Sequence, residues 1–290
     1  MIALIEQEAG AELSLAAMCC ALSVNRAAYY RARHKSTSCD DVELRDAIQR
    51  IALEMPGYGS RRITAELHRR GWRINRKRVQ RIMREDNLLC LRRVKRLRTT
   101  DSSHALTVYP NLVPELDLTG LNQLWVADIT YIRLQREFVY LAVLLDAYSR
   151  RCIGWSLGCT LEAELTLGAL RMALAQRARR PELVHHSDRG VQYAAGPYTA
   201  LLADHGIAIS MSRKASPNDN ALAESFIKTL KYEEVYLFEY EDFAEAQQRI
   251  EEFIERVYNE KRLHSALDYR PPNEYEQWLL DQQTPAGVTE

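Results

Sequence analysis

A chain of 290 residues, 47% hydrophobic and 27% charged, has the make-up of a globular protein with room for one sizeable core and one or two small modules. No apolar run approaches a membrane span, and the N-terminal MIALIEQEAG lacks the basic flank of a signal peptide. Cysteines 19, 20, 39, 90, 152 and 159 form no CxxC pair and no His/Cys ligand spacing, which sets aside a zinc module or disulfide framework and favours reduced thiols in a cytoplasm. The net charge of zero conceals a segregation. Arg45–Arg98 holds 17 Lys/Arg against 5 Asp/Glu, so this stretch is +12 and the remainder −12. A polyanion partner suits the first part and cation binding the second.

In chain order, ELSLAAMCCALSVNRAAYYRAR (12–33) carries helical periodicity broken around Ser23-Val24-Asn25, which predicts a small helix-turn-helix-like segment within 1–38. Residues 39–91 form the basic module. DVELRDAIQRIALEM reads as a helix stopped by PGYG, and SRRITAELHRRG as a second, with Ser60 as N-cap and Gly71 as stop. INRKRVQRIMREDNLL is the third, capped by Asn75. On it Lys77, Arg81 and Arg84 follow i, i+4, i+7, with Val79, Ile82 and Met83 opposite, so one face packs and the other meets phosphates. Arg76 and Arg78 extend that basic surface. The pattern fits a helix-turn-helix DNA reader; on these residues alone a basic helical bundle without a DNA role stays open. A basic linker (92–118) follows.

Residues 119–235 read as a mixed α/β sheet. LWVADITYIRL, EFVYLAVLLDAYS and RCIGWSLG are strands whose short links imply antiparallel hairpins. After them come the helix EAELTLGALRMALAQRA, the short strand ELVHHSD, the helix GPYTALLADHG, the strand IAISMS, and the helix NALAESFIKTLKYEEV, capped near Asn218–Asn220. Residues 236–290 hold a long acidic helix, EDFAEAQQRIEEFIERVYN, and a Pro-containing tail.

Asp128 stands in the middle of the first strand among Trp125, Val126, Ile129 and Tyr131. An unpaired carboxylate there is too costly to be incidental. Asp188 ends another strand, at the edge where open α/β sheets collect ligands. On the last helix of the sheet Leu222, Phe226 and Leu230 form a packing stripe, while Glu224, Lys228 and Lys231 form a polar face. Carboxylates about 4 Å apart repel by roughly 4 kcal/mol per pair at an effective dielectric near 20. A divalent cation removes that penalty, and two ions suit phosphoryl displacement. Asp146 reads instead as a turn cap. Trp125 and Trp155 read as core. His186 and Tyr193 have two open readings, substrate positioning and buried hydrogen bonding, and YNEKRLHSALDYRPP is either a DNA contact or a strap.

With 35 residues between Asp188 and Glu224, the acids resemble the DD(35)E triad of retroviral integrases and bacterial transposases. WVADITYI, HHSDRGVQY, MSRKASPNDNALAESFIKTLK and YNEKRLHSALDYRPPNEY resemble, more specifically, the downstream-frame (OrfB) product of the large insertion-sequence family whose transposase fuses two overlapping frames. The likeness spans roughly residues 12–278. It implies a ribonuclease-H-like catalytic core behind helix-turn-helix modules, and a polynucleotidyl transferase that cleaves DNA at element ends and joins the freed 3′-OH to a phosphodiester. It also implies that Asp128, Asp188 and Glu224 bind Mg2+ or Mn2+, two ions in all, and that Lys231 touches DNA near the cut. The implied partners are terminal inverted repeats, target DNA, the upstream-frame OrfA product by fusion or association, and further copies of the chain on DNA. No membrane is expected, and the implied location is the bacterial cytoplasm at the nucleoid. The family's pattern often has a glycine after the lysine of SRKASPNDNA, which is absent here, and the retroviral zinc module is missing. An endonuclease that hydrolyses without joining, and a regulator that occupies element ends, are the rival readings.

Overall fold

A computed structural model describes residues 15–21, 25–26, 39–88, 106–178, 181–213 and 216–283. The chain divides into two compact units, residues 1–51 and 52–290. In the first, helix α1 (Leu15–Ala21) lies in the stretch expected to hold an N-terminal helix-turn-helix; most of the second half of that stretch lies outside the described residues, as does the linker as far as residue 105. Helix α2 (Cys39–Glu54) crosses the unit boundary, and its Leu44, Ile48 and Ile51 recur at helical spacing and are all buried.

Helices α3 (Ser60–Arg69) and α4 (Arg76–Glu85) follow. The N-cap of α3 is Gly59, not Ser60, which is its first helical residue; no side chain caps this end, and the Ser60 carbonyl accepts a 2.6 Å bond from Thr64 Oγ1. Gly71 stops the helix at φ +88°, a left-handed conformation that glycine adopts without a Cβ penalty. Asn75 caps α4 as expected, its side chain accepting from the Lys77 N–H at 2.8 Å. Val79, Ile82 and Met83 are buried while Arg76, Lys77, Arg81 and Arg84 are exposed, so the amphipathic split is realised.

The sheet has the order β3-β2-β1-β4-β5. Strands β1 (Leu124–Arg133), β2 (Phe138–Asp146) and β3 (Cys152–Gly158) form an antiparallel meander. Strands β4 (Val184–Ser187) and β5 (Ala208–Met211) run parallel to β1. Parallel neighbours need crossovers. Helix α5 (Ala163–Gln176) leads from β3 to β4; α6 (Val191–Ala194) and α7 (Gly196–Asp204) lead from β4 to β5. A 3₁₀ turn (Pro217–Asn220) then opens α8 (Ala221–Leu230), which continues as a π-helical turn over Lys231–Val235.

Strand alternation divides the core into two layers. Leu124, Val126 and Ile132 of β1 pack in one cluster with Ala223, Phe226 and Leu230 of α8 and with Ala246, Ile250 and Phe253. Ala246 and Ile250 belong to α9 (Phe243–Glu252), whose π-helical extension runs to Asn259. Trp125 and Ala127 point the other way, into a cluster with Leu167 and Leu170 of α5 and Tyr198 and Leu202 of α7. A helix–sheet–helix sandwich with this mixed order is a ribonuclease-H-like fold. Trp155 is buried at 8% exposure and Asp146 at 0%, both as expected of core and turn cap. Asp146 accepts from the backbone N–H groups of Asn122, Tyr148 and Ser149.

The tail departs from expectation. Residues Pro272–Gln283 form a helix, α10, because proline at a first helical position forfeits no hydrogen bond. The stretch before it is a buried strap: Arg262 is 4% exposed and forms a bidentate pair with Glu233, both bonds 2.8 Å. The Leu263 N–H donates to Tyr58 Oη at 2.7 Å, and its carbonyl accepts from Arg62 Nε at 3.0 Å.

Candidate active site

Asp128 shares the parity of Val126 and Ile132 on β1, the face covered by α8. The parallel register pairs Leu124 with Val184, Trp125 with His185 and Val126 with His186. The pairing ends at Val126 and His186, and Asp188 is the first residue past β4, so both aspartates lie just beyond the paired segment, close enough for Asp188 to act on Asp128 electrostatically. Asp128 Oδ1 accepts from the Ile129 N–H and Asp188 Oδ1 from the Gly190 N–H, both at 2.9 Å. Gly190 keeps this bend tight, since a Cβ there would meet Asp188 Oδ1 at 2.9 Å.

Glu224 arrives from α8, and a residue that the sequence left as a helix cap brings it there. Asn220, 5% exposed, makes no side-chain cap bond; its Nδ2 donates to the Ala127 carbonyl at 2.9 Å. The first turn of α8 is thereby tied to the strand residue next to Asp128. Upstream, Asp219 is clamped by the Arg213 backbone N–H and guanidinium and by Asn111 Nδ2, and Arg213 holds its carboxyl down at about 2.

The three acids are coupled. Lost hydration, then Asp188 and also Glu224, push the Asp128 carboxyl up to about 8, against the Ile129 N–H and Lys231, which favour the charged form. Glu224, on the exposed side of α8, is raised by partial burial. Lys231 holds its ammonium 4.6 Å from the Tyr131 ring centroid, a cation–π contact, and burial lowers its pKa while Asp128 raises it. Lys228 is exposed on the same helix. Among the described residues, no three His, Cys, Asp or Glu side chains are gathered into a ready-made metal site. Magnesium does not require one: it binds through one or two carboxylates and completes its shell with water and substrate phosphates. Hard oxygen donors, crowded enough for one to favour its protonated form, fit such an ion.

His186 is fully buried, with Nδ1 2.8 Å from Ser210 Oγ and Nε2 3.1 Å from Ser212 Oγ; burial first of all lowers its pKa to about 4. These contacts make it a brace between β4 and β5. Tyr193 is 2% exposed, packs edge-on against Tyr198 at 5.5 Å, and its hydroxyl has no hydrogen-bond partner. Burial raises its pKa, with Tyr198, Asp128 and Asp188 adding to the effect, so it lies within electrostatic reach of both aspartates.

Family models described as Integrase core domain match residues 119–217 and 205–272, and one described as HTH-like domain matches 40–96. The transposase for insertion sequence element IS904 of Lactococcus lactis is 36% identical over 84% of this chain and 99% of its own length. Transposase InsF for insertion sequence IS3A of Escherichia coli K12 is 35% identical over 92% of this chain and 95% of its own length. The chain belongs to the insertion-sequence transposases. Likeness to solved retroviral integrases is remote: the HTLV-2 integrase catalytic core shares 15% identity at a TM-score of 0.43, over 53% of the transposase and 96% of that core. The transposase is thus a polynucleotidyl transferase with an integrase core and an HTH-like DNA-binding domain, and the core family carries divalent-metal dependence. Among its described residues, no helix is long and apolar enough to cross a membrane.

Proposed function

We propose that Asp128, Asp188 and Glu224 are the catalytic, metal-holding residues of this transposase. The observation that supports this is the electrostatic effect of both Asp188 and Glu224 on Asp128, together with the Asn220–Ala127 bond that ties the start of α8 to β1. Two Mg2+ (or Mn2+) ions bound by these carboxylates would supply Lewis-acid stabilisation of the attacking and leaving oxygens.

The remaining work falls to the chain itself. Asp128 must give up the proton that its surroundings favour before it can act as a ligand, and Lys231 assists by favouring the anion. Lys231 and Lys228, on the side of α8 that carries Glu224, place positive charge where a scissile phosphate would approach. In cleavage, a water oxygen bonds to phosphorus as the bond to a 3′-oxygen breaks, leaving a 3′-OH and a 5′-phosphate. In joining, that 3′-oxygen bonds to a target phosphorus and another 3′-oxygen leaves.

Residues 39–91 read the terminal inverted repeats, with Arg76, Lys77, Arg78, Arg81 and Arg84 of α4 against phosphates; the exposed basic face of α4 supports this. Residues 119–235 cut and join, 236–290 brace them, and 1–38 is a small helical module ahead of the linker at 92–118. The transposase works as an oligomer on DNA, in the cytoplasm at the nucleoid, with the upstream-frame OrfA product fused or associated.

The test is strand transfer with pre-cleaved ends and magnesium, using the chain alone and fused to the upstream-frame product. Joined product is expected from the wild-type fusion and not from Asp128→Asn or Glu224→Gln. Joining by either variant would overturn the assignment.

A further inference from the structure

A cavity of about 180 Å³ opens beside α3, the β2–β3 turn and the C-terminal strap. Arg62, Arg150, Arg262 and His264 line it, with Ser225 and Thr229 of α8. It is not the acidic cleft. Ser225 and Thr229 stand roughly 100° and 140° around α8 from Glu224. Asp146, which also lines it, pairs with Trp125, three residues and so about 10 Å down β1 from Asp128.

Its charges do not cancel. Arg262 is matched by Glu233, and Asp146 accepts from three backbone N–H groups. Arg62 and Arg150 have no ion-pair partner among the described residues. His264, 6% exposed, has its Nε2 buried without a hydrogen-bond partner. The crowding registers in the titrations: burial and then Arg262 hold the Arg62 guanidinium below its usual value, and burial followed by Arg262, Arg62 and Arg150 pushes His264 down to about 2. Three arginines thus meet two carboxylates, Asp146 and Glu233, which leaves one positive charge in excess, and an enclosed excess charge is costly. The space is smaller than the roughly 300–1,000 Å³ of typical small-molecule sites, so it suits one compact anionic group rather than a nucleoside.

We propose that this cavity is a phosphate-binding site, separate from the acids, in which Arg62, Arg150 and His264 Nε2 hold a phosphoryl group and the Ser225 and Thr229 hydroxyls line its rim. Guanidinium forks match phosphate oxygens two by two. The group comes either from free inorganic phosphate or from a DNA backbone.

The experiment uses the full chain. Inorganic phosphate is titrated calorimetrically at constant ionic strength into wild type, Arg150→Gln, Arg150→Lys and, as a charge control outside the cavity lining, Arg171→Gln. DNA binding is measured against salt for the same proteins, with and without phosphate. Arg150 sits at φ +61°, so all three residues compared there are long and unbranched, and Arg150→Lys controls for folding. Saturable phosphate binding, weakened at least tenfold in Arg150→Gln and largely kept in Arg150→Lys, is expected. If the source is a DNA backbone, phosphate also competes with DNA and Arg150→Gln lowers the salt slope by about one relative to Arg171→Gln. If the source is free phosphate, DNA binding ignores both. No saturable binding together with identical salt slopes for Arg150→Gln and Arg171→Gln would overturn the proposal. Asp128→Asn should bind phosphate as wild type does, which keeps this test apart from that of the acids.

Discussion

The side-chain amide of Asn220 donates to the carbonyl of Ala127 at 2.9 Å, joining the start of α8 to β1 one residue before Asp128. The bond is buried, and it is the polar tie between the element that carries Glu224 and the strand that carries the first aspartate. Asn220→Ala leaves the Ala127 carbonyl without this donor and frees the first turn of α8. About 1–3 kcal/mol of stability should be lost. Joining should fall by more than the folded fraction explains, roughly tenfold or more for a displacement near 1 Å. Denaturant midpoints and single-turnover strand transfer measure the two effects; unchanged joining by folded Asn220→Ala would show that the tie does not position Glu224.

Asp128→Asn keeps the shape and removes the charge. Joining under magnesium should drop by about 10³-fold, the equivalent of several kcal/mol of lost transition-state stabilisation. DNA affinity, which rests on the basic face of α4, should change by less than about twofold. Gel-based joining and fluorescence anisotropy on one preparation test both halves.

Metal-free stability should depend on pH with a definite sign. Asp128 is raised from 3.8 to about 8 in the folded chain. Between those values the native state holds a proton that the unfolded state has released, so the contribution of Asp128 to stability is full below about pH 4 and is lost as pH rises towards 8. Glu224, also raised, acts in the same direction. Wild type in EDTA should therefore lose more melting temperature between pH 5 and 8 than Asp128→Asn, and magnesium should restore it at pH 8. Parallel melting curves for the two proteins would refute this.

Neutralising Lys77, Arg81 and Arg84 should flatten the dependence of DNA affinity on salt by about one unit of slope per lost phosphate contact. Arg81 already lies 3.5 Å from Glu85, so its share should be the smallest. A slope that does not change in the triple variant would exclude α4 as the DNA face.

Where one periodicity dominated, the fold was legible from the residues. The strands of the meander, the helix from Ala163 to Gln176 and the split of α4 follow from alternation or from i, i+3, i+4 spacing. Asp128 stood out because a carboxylate inside an apolar strand needs a reason. What stayed hidden depended on distant partners. Nothing local says that the Asn220 amide bonds to a strand 93 residues earlier rather than capping its own helix. Likewise Arg262 looks like a surface cation until Glu233 is seen to bury it. Helix α10 was missed because paired prolines suggest a tail, whereas the second of them starts the helix.

The strap has a consequence for synthesis. Leu263 meets the Tyr58 hydroxyl across a sequence separation of 205 residues. Its neighbour Arg262 is the partner of Glu233. A ribosome must therefore emit more than 200 residues beyond Tyr58 before this seam can close. A messenger truncated ahead of codon 262 would yield a product with its sheet encoded in full but the Tyr58 and Arg62 side unfastened.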